Sequence, residues 1–311
     1  MPEAGTLGVP EAFRASSMTD WNHIAELIGA TTDRDFEISD RNPRGGGSIN
    51  SAWQVDGGGE RYFVKLNDAD RIDMFEAEGE GLTELASAGT IRVPKPLCWG
   101  LAGAESFIVM EYLPLSAASG DTQTRLGEQL AATHRVGRER FGWHRDNTIG
   151  STHQPNTEES SWVTFWGKHR LGYQLELAKG RFGNGLQRTG ERLLHAYPAL
   201  FSDYQPTPSL LHGDLWGGNA SADNDGNPVI FDPATYYGDR EADLAMTELF
   251  GGFSRSFYDA YDATWPIDPG YRTRKVLYNV YHLLNHANMF GGGYANQAQH
   301  GMEQVLAEIG A

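Results

Sequence analysis

Beyond about Leu113-Pro114 this chain is patterned mainly for helices, and between Ser209 and Tyr237 that pattern breaks into turns and two short apolar strands. The break carries His212-Gly213-Asp214-Leu215-Trp216-Gly217-Gly218-Asn219 and then Val229-Ile230-Phe231-Asp232-Pro233. An Asp and an Asn separated by four residues on a loop, with a second Asp after a short apolar strand, match the parts of a phosphoryl-transfer site. In such a site Asp214 faces the attacking hydroxyl, while Asn219 and Asp232 present oxygen ligands to a Mg2+ ion that lies against the phosphates of ATP. Each piece alone also fits a plain turn in which Asp bonds its own backbone. In this order, and with the features upstream, the two together favour phosphoryl transfer.

The first third of the chain has a different texture. Short apolar stretches from Phe36 to Leu66 flank the triplets Gly45-Gly46-Gly47 and Gly57-Gly58-Gly59, as in strands joined by glycine-rich turns. Gly46, Gly47, Ser48, Ile49 and Asn50 are the candidate phosphate-covering loop, although Asn50 stands where G-x-G-x-x-G ends in glycine. A hairpin turn is the competing reading. Lys65, at the end of a β-prone run, fits the strand lysine that holds phosphates, and Glu78 on the next helix fits its ion-pair partner. Glu76 and Glu80 compete for that place, and a solvated acidic face accounts for all three equally well. That helix has Met74, Phe75, Leu82 and Leu85 as apolar positions and stops near Gly89. Strands are expected over Pro96–Trp99 and Ser106–Met110, with a turn at Gly100–Gly103. The main chain of Glu111, Tyr112 and Leu113 then lies where an adenine edge would bind. A first helix starts after the N-cap candidate Asp20, and residues 1–17 read as a flexible tail, with Met18 an alternative start.

Composition narrows the possibilities. Eight Trp, 13 Tyr and 14 Phe exclude wholesale disorder. With 25 basic and 41 acidic residues the net charge is −16, which disfavours nucleic acid and anionic membrane surfaces as partners. The apolar windows fall far short of the ~20 residues of a spanning helix. The start of the chain carries Glu3 and no continuous apolar run, against an export signal. A single cysteine, Cys98, suits a reducing compartment, so a cytoplasmic location is expected.

The stretch HGDLWGGN…VIFDPATYYGDREADLAMTELFGGF resembles the fructosamine kinase (ketosamine-3-kinase) family, relatives of aminoglycoside phosphotransferases and choline kinases. GGGSIN, YFVKLN, MFEAEGEGL, VPKPL and FIVMEYL extend the resemblance upstream. LGEQLAATH, FGWHRDNTIGSTHQPN, SWVTFWGKHRL and LLNHANMFGGGY extend it through the rest of the chain. It implies an α+β, two-lobed, protein-kinase-like fold. Residues 18–113 would form a small antiparallel-sheet lobe for nucleotide, and residues 114–311 a larger helical lobe for catalysis and acceptor. The implied activity is ATP-dependent phosphorylation of the 3-hydroxyl of ketoamines, the ribulosamine, fructosamine or erythrulosamine adducts of free amines or protein lysines, and hence deglycation. Carried over by position, Asp214 is the base, Asn219 and Asp232 are Mg2+ ligands, Lys65 is the phosphate lysine and Glu111–Leu113 the adenine hinge.

Other residues are expected around these. Trp216 either lies against the sugar or packs in the core, and His286 either lines the acceptor pocket or packs. His282 and His286 have the i,i+4 spacing of a zinc pair but lack the Glu of H-E-x-x-H, which argues against zinc. His212 and Asp243 support the loop, Asp243 by accepting backbone N–H bonds, and Asp239 caps the helix that follows. Gln154, Asn156, Trp162, Phe165 and Arg170 match family positions, as acceptor contacts or as scaffolding. Two other readings keep part of this machinery: an aminoglycoside- or choline-type kinase, and an inactive ATP-binding module. The YYGDRE and SWVTFWGKHRL blocks argue against the first. Retention of Lys65, Asp214, Asn219 and Asp232 argues against the second.

Overall fold

The structure, a computed structural model, describes residues 19–45 and 49–311. The expected tail and, within the glycine-rich loop, Gly46, Gly47 and Ser48 lie outside the described residues. Asp20 caps α1 (Trp21–Thr32) by accepting the N–H of His23, and Ile24, Ala25 and Ile28 form its buried stripe. Strands β1 (Asp40–Arg44), β2 (Ser51–Gly57), β3 (Glu60–Asp68), β4 (Pro96–Ala102) and β5 (Glu105–Glu111) follow, with α2 (Ile72–Ser87) between β3 and β4. They form one antiparallel sheet in the order β1-β2-β3-β5-β4. The β4 strand runs further than expected. Its ladder with β5 continues to Ala102↔Glu105, so the turn is the pair Gly103-Ala104, with Gly103 supplying the positive φ of 71°.

Alternation of side chains along β3 decides where the chemistry goes. Val64 and Leu66 point to the α1 face, in a cluster with Ile24, Ile28, Val55, Phe107 and Val109. Lys65, between them, points to the opposite face, where α2 packs Met74, Phe75, Leu82 and Leu85 against Ile108 and Met110.

The remainder is mainly helical: α3 (Gly120–His134), α4 (Trp162–Trp166), α5 (Tyr173–Ala178), α6 (Asn184–Ala196), α7 (Glu241–Leu249), α8 (Arg255–Thr264), α9 (Tyr271–Phe290) and α10 (Tyr294–Glu308). Helices α4 and α5 are joined by a π-helical stretch, Gly167–Gly172. Between α3 and α4 lies a hairpin, β6 (Asn147–Ile149) with β7 (Thr152–Gln154). Instead of two strands between Ser209 and Tyr237 there are four, in two antiparallel pairs: β8 (Ser209–Leu211) with β11 (Tyr236–Gly238), and β9 (Ala220–Ala222) with β10 (Pro228–Ile230). The β9–β10 pair sits at the junction with the sheet. Ile230 N–H donates to the Arg92 carbonyl at 3.0 Å, and Ser116 and Ala222 exchange backbone bonds of 2.8 and 2.9 Å. Asp232, two residues past β10, is thereby delivered beneath the sheet. No helix among the described residues is long and apolar enough to cross a membrane.

Candidate active site

The loop from β8 to β9 is held from below by one carboxylate. Asp243, on α7, accepts the N–H of His212 at 2.7 Å through Oδ2 and that of Gly213 at 2.8 Å through Oδ1. His134 Nε2 donates to the same Oδ2 at 3.1 Å, and His134 Nδ1 is bonded to the Tyr261 hydroxyl at 2.7 Å. Burial works against the Asp243 charge, yet the bonds and charges of its partners outweigh it and hold the carboxyl below its usual range. Gly213 has φ +83°, and a Cβ there would run into the Ala234 carbonyl, so only glycine fits.

His212 is neutral and oriented by its two nitrogens. Its Nδ1 accepts from Asp214 N–H at 3.2 Å, so Nε2 carries the proton and donates to the Phe231 carbonyl at 2.9 Å. Burial depresses its pKa, in keeping with that state. The imidazole ties the loop to the strand end that precedes Asp232. Asn219 closes the loop: its Nδ2 donates to the Asp214 carbonyl at 2.9 Å and reaches Asp214 Oδ2 at 3.4 Å. The Asp214 carboxyl is pushed up to about 7, first by desolvation and then by the charges of Asp232 and Asp243, with the Asn219 bond opposing.

Across the cleft, Lys65 Nζ bonds Glu78 Oε1 at 2.5 Å and Asp232 Oδ1 at 2.6 Å. Desolvation lowers the Lys65 pKa, and the two carboxylates more than offset it, so the ammonium stays charged. Glu76 and Glu80 instead face Arg145, at 3.4 and 2.7 Å. Asp232 adopts φ +58°, uncommon outside glycine, which turns the chain sharply at the metal-ligand candidate. At the junction, side chains of the candidate hinge residues are engaged with arginines: Glu111 with Arg92 at 2.6 Å, Tyr112 under the guanidinium groups of Arg44 and Arg61. Glu111 N–H donates to the Lys95 carbonyl at 2.8 Å. Of the glycine-rich loop, Ile49 and Asn50 are described; the Ile49 carbonyl and Asn50 Oδ1 accept from Asn67 Nδ2 at 3.3 and 2.6 Å.

A family profile described as fructosamine kinase matches residues 20–308. The chain belongs to the fructosamine kinase family. A Synechocystis protein named "Probable ketoamine kinase" is 49% identical over 292 residues, 94% of this chain and 98% of that protein. The chloroplastic protein-ribulosamine 3-kinase of Arabidopsis thaliana is 43% identical over 305 residues, 96% of this chain and 92% of that protein. A crystal structure from Haemophilus somnus 129PT, assigned as a fructosamine-3-kinase, superposes with a TM-score of 0.85 at 30% identity, covering 93% of this chain and 98% of that one. The choline kinase LicA of Streptococcus pneumoniae shares the fold at 14% identity, with a TM-score of 0.63 over 93% of this chain and 99% of that one. The fold is the α+β, protein-kinase-like one.

In this fructosamine kinase family member Gln154, Asn156, Trp162, Phe165 and Arg170 are all buried. Arg170 has no carboxylate partner among the described residues. It donates to the Pro155 carbonyl at 2.6 Å and Asn156 Oδ1 at 2.7 Å, and its guanidinium lies 4.0 and 4.7 Å from the Tyr236 and Phe165 ring centres. Asn156 and Gln154 both donate to Asn147 Oδ1, and Asn147 donates to the Thr235 carbonyl, which fixes the segment after Asp232. Asn147, His134 and Tyr261 were not expected at the site. Arg240, not Asp239, is the N-cap of α7; Asp239 accepts the Glu241 amide at 3.0 Å, and Tyr204 and Tyr278 donate to it at 2.9 and 2.5 Å. Cys98 sits on β4, its thiol pushed up to about 11 by burial, and so offers no thiolate.

His286 Nδ1 donates to the His282 carbonyl at 2.8 Å, and no group of three or more His, Cys, Asp or Glu gathers for a metal among the described residues. His282 is 4% exposed, its Nδ1 has no partner there, and burial drives its pKa from 6.5 down to about 3. A depressed histidine contributes stability above its unfolded pKa and loses it as pH falls toward its folded one. The stability advantage of the wild type over His282→Gln is therefore expected to shrink by about 1.4 kcal/mol per pH unit below 6.5. Urea unfolding of both proteins from pH 7.5 to 5 measures this; parallel curves refute it.

Proposed function

We propose that this cleft transfers the γ-phosphoryl group of ATP to the 3-hydroxyl of a ketoamine, a ribulosamine- or fructosamine-type adduct of a sugar with an amine. The observation that carries the reading is the convergence of four side chains: Lys65 bonds Asp232, Asn219 bonds Asp214, and the Asp232 charge acts on Asp214. Asp214 takes the proton of the attacking hydroxyl, and a carboxyl raised toward neutrality is a stronger acceptor than an exposed one. Lys65, steadied by Glu78, holds phosphate oxygens. The glycine-rich loop, from Gly46 to Asn50, covers them, and the main chain of Glu111–Leu113 receives adenine. Trp216 offers an aromatic face to the sugar and its cationic nitrogen.

The donor set fits Mg2+. The Asn219 amide nitrogen is spent on Asp214, which leaves Oδ1 for a metal, and Asp232 adds a carboxylate. Two protein oxygens with phosphates and water completing the shell is the usual provision for this ion. Bound there, Mg2+ supplies charge neutralisation at the phosphates. Phosphorylation at the 3-hydroxyl prepares the adduct for β-elimination, which connects the reaction to deglycation. With one cysteine in the chain, the cytoplasm is the expected setting.

Incubation with ATP, Mg2+ and a synthetic ribulosamine tests the assignment, with phosphorus NMR and mass spectrometry locating the new ester. Phosphate at the ketose 3-hydroxyl is expected, with little transfer to kanamycin or choline. Transfer to a different hydroxyl, or preference for an aminoglycoside, would sink it. In the same assay Asp232→Ala should raise the Mg2+ requirement more than Asn219→Ala, because it removes a full charge from the metal. Unchanged metal dependence in Asp232→Ala would move the ion elsewhere.

A further inference from the structure

Among the described residues five large hydrophobic side chains are exposed, and three of them, Trp216, Phe250 and Phe290, belong to one aromatic chain beside the catalytic loop. Trp216 meets the Phe250 edge with ring centres 6.5 Å apart, Phe250 lies 4.8 Å from His286, and His286 lies 5.8 Å from Phe290. Soluble proteins ordinarily scatter such side chains; a contiguous exposed run marks a binding surface.

This run is built rigidly onto the loop that carries Asp214. The indole of Trp216 folds over Gly218, where a Cβ would strike the ring. The backbone of Gly251-Gly252, just after Phe250, lies against Gly217 at a distance that admits no side chain at Gly217 or Gly252. His286 is held by its bond to the His282 carbonyl. At the other end, Met289, the chain neighbour of Phe290 on the last turn of α9, borders Gly150, as does Ile49 of the glycine-rich loop.

We propose that Phe250, His286 and Phe290 form a shelf for the amine substituent of the ketoamine, selecting adducts of long-stemmed amines over those of small ones. The inference rests on the ketoamine reading above. In such an acceptor the hydroxyl is on C3 and the nitrogen on C1. With the hydroxyl at Asp214, the nitrogen falls near Trp216 and its substituent continues outward. No Lys or Arg belongs to the shelf, so neither an anionic headgroup nor nucleic acid is matched there, whereas the methylene stem of a lysine-type amine is.

The test is a series of ribulosylated methylamine, butylamine and hexylamine, with kcat and KM measured separately. KM is expected to fall about threefold per added methylene until the shelf is covered, with kcat nearly constant. Phe290→Ala, at a position 55% exposed and so tolerant of truncation, should raise KM for the hexylamine adduct about tenfold and make the gradient shallower. Leu101→Ala, an exposed apolar residue on β4, should retain the full gradient. Turnover of all three adducts with KM indifferent to length overturns the shelf alone. So does a gradient that survives both Phe250→Ala and Phe290→Ala, or a wild-type dimer that Phe290→Ala dissociates in sedimentation while the series is unchanged. Failure to turn over any ketoamine overturns the shelf and the underlying assignment together.

Discussion

Asp214→Asn is expected to lower kcat by about 10²–10⁴ while raising the melting temperature. The two effects share one cause. Desolvation and the neighbouring charges of Asp232 and Asp243 make the ionised carboxylate costly in the folded protein, and that cost is what makes it a competent proton acceptor. Asparagine keeps the shape and removes the charge, so the cleft relaxes and the acceptor is lost. The KM for ATP should change little, because the group faces the hydroxyl and not the nucleotide. Steady-state kinetics and thermal melts at pH 7.5 measure both. Retention of more than about a tenth of normal turnover would remove Asp214 from the role of base.

Asp243→Ala should instead cost the fold itself roughly 3–5 kcal/mol, the range for removing one partner from a buried charged pair. Three donors are orphaned at once: the N–H groups of His212 and Gly213 and the imidazole of His134. At roughly 2–4 °C per kcal/mol, the melting temperature should fall by about 10 °C. Activity measured well below that temperature should drop too, since the two amides position the backbone on which Asp214 stands. His134→Leu is the comparison: it removes the imidazole's bonds to Asp243 and Tyr261 but leaves both amides satisfied, so its loss should be clearly smaller. Equal losses in the two variants would shift the anchor from the carboxylate to the histidine.

Glu78 illustrates what periodicity makes readable. Met74, Phe75, Leu82 and Leu85 mark the buried face of α2, and Glu78 is four residues from both Met74 and Leu82. Glu76 and Glu80 are two residues off that face and pair with Arg145. The three-way choice was therefore decidable from the helix pattern already noted. The α6 face Leu186, Thr189, Gly190 and Leu193 has the same helical spacing, yet α6 and α8 went unexpected because both are largely polar and neither carries a site residue. Three-residue strands such as β6, β7, β9 and β11 are too short for a local pattern. The π-helical stretch and the burial of Arg170 depend on aromatic rings and carbonyls distant in the chain, so no local spacing announces them. The same holds for Phe250 and Phe290, whose meaning appears only when α9 is laid beside the catalytic loop.

Lys65 and its two carboxylates have a mechanical meaning as well. Glu78 belongs to the part of the chain that contains the sheet, Asp232 to the part that contains the catalytic loop, and a single ammonium holds both. The two parts are thus clasped by one buried ammonium at the proposed nucleotide site. Lys65→Met would undo the clasp and leave two carboxylates facing each other across the gap. Small-angle scattering of that variant without ligand should show a wider, more extended particle than the wild type, an opening motion that the native lysine restrains even before any substrate arrives.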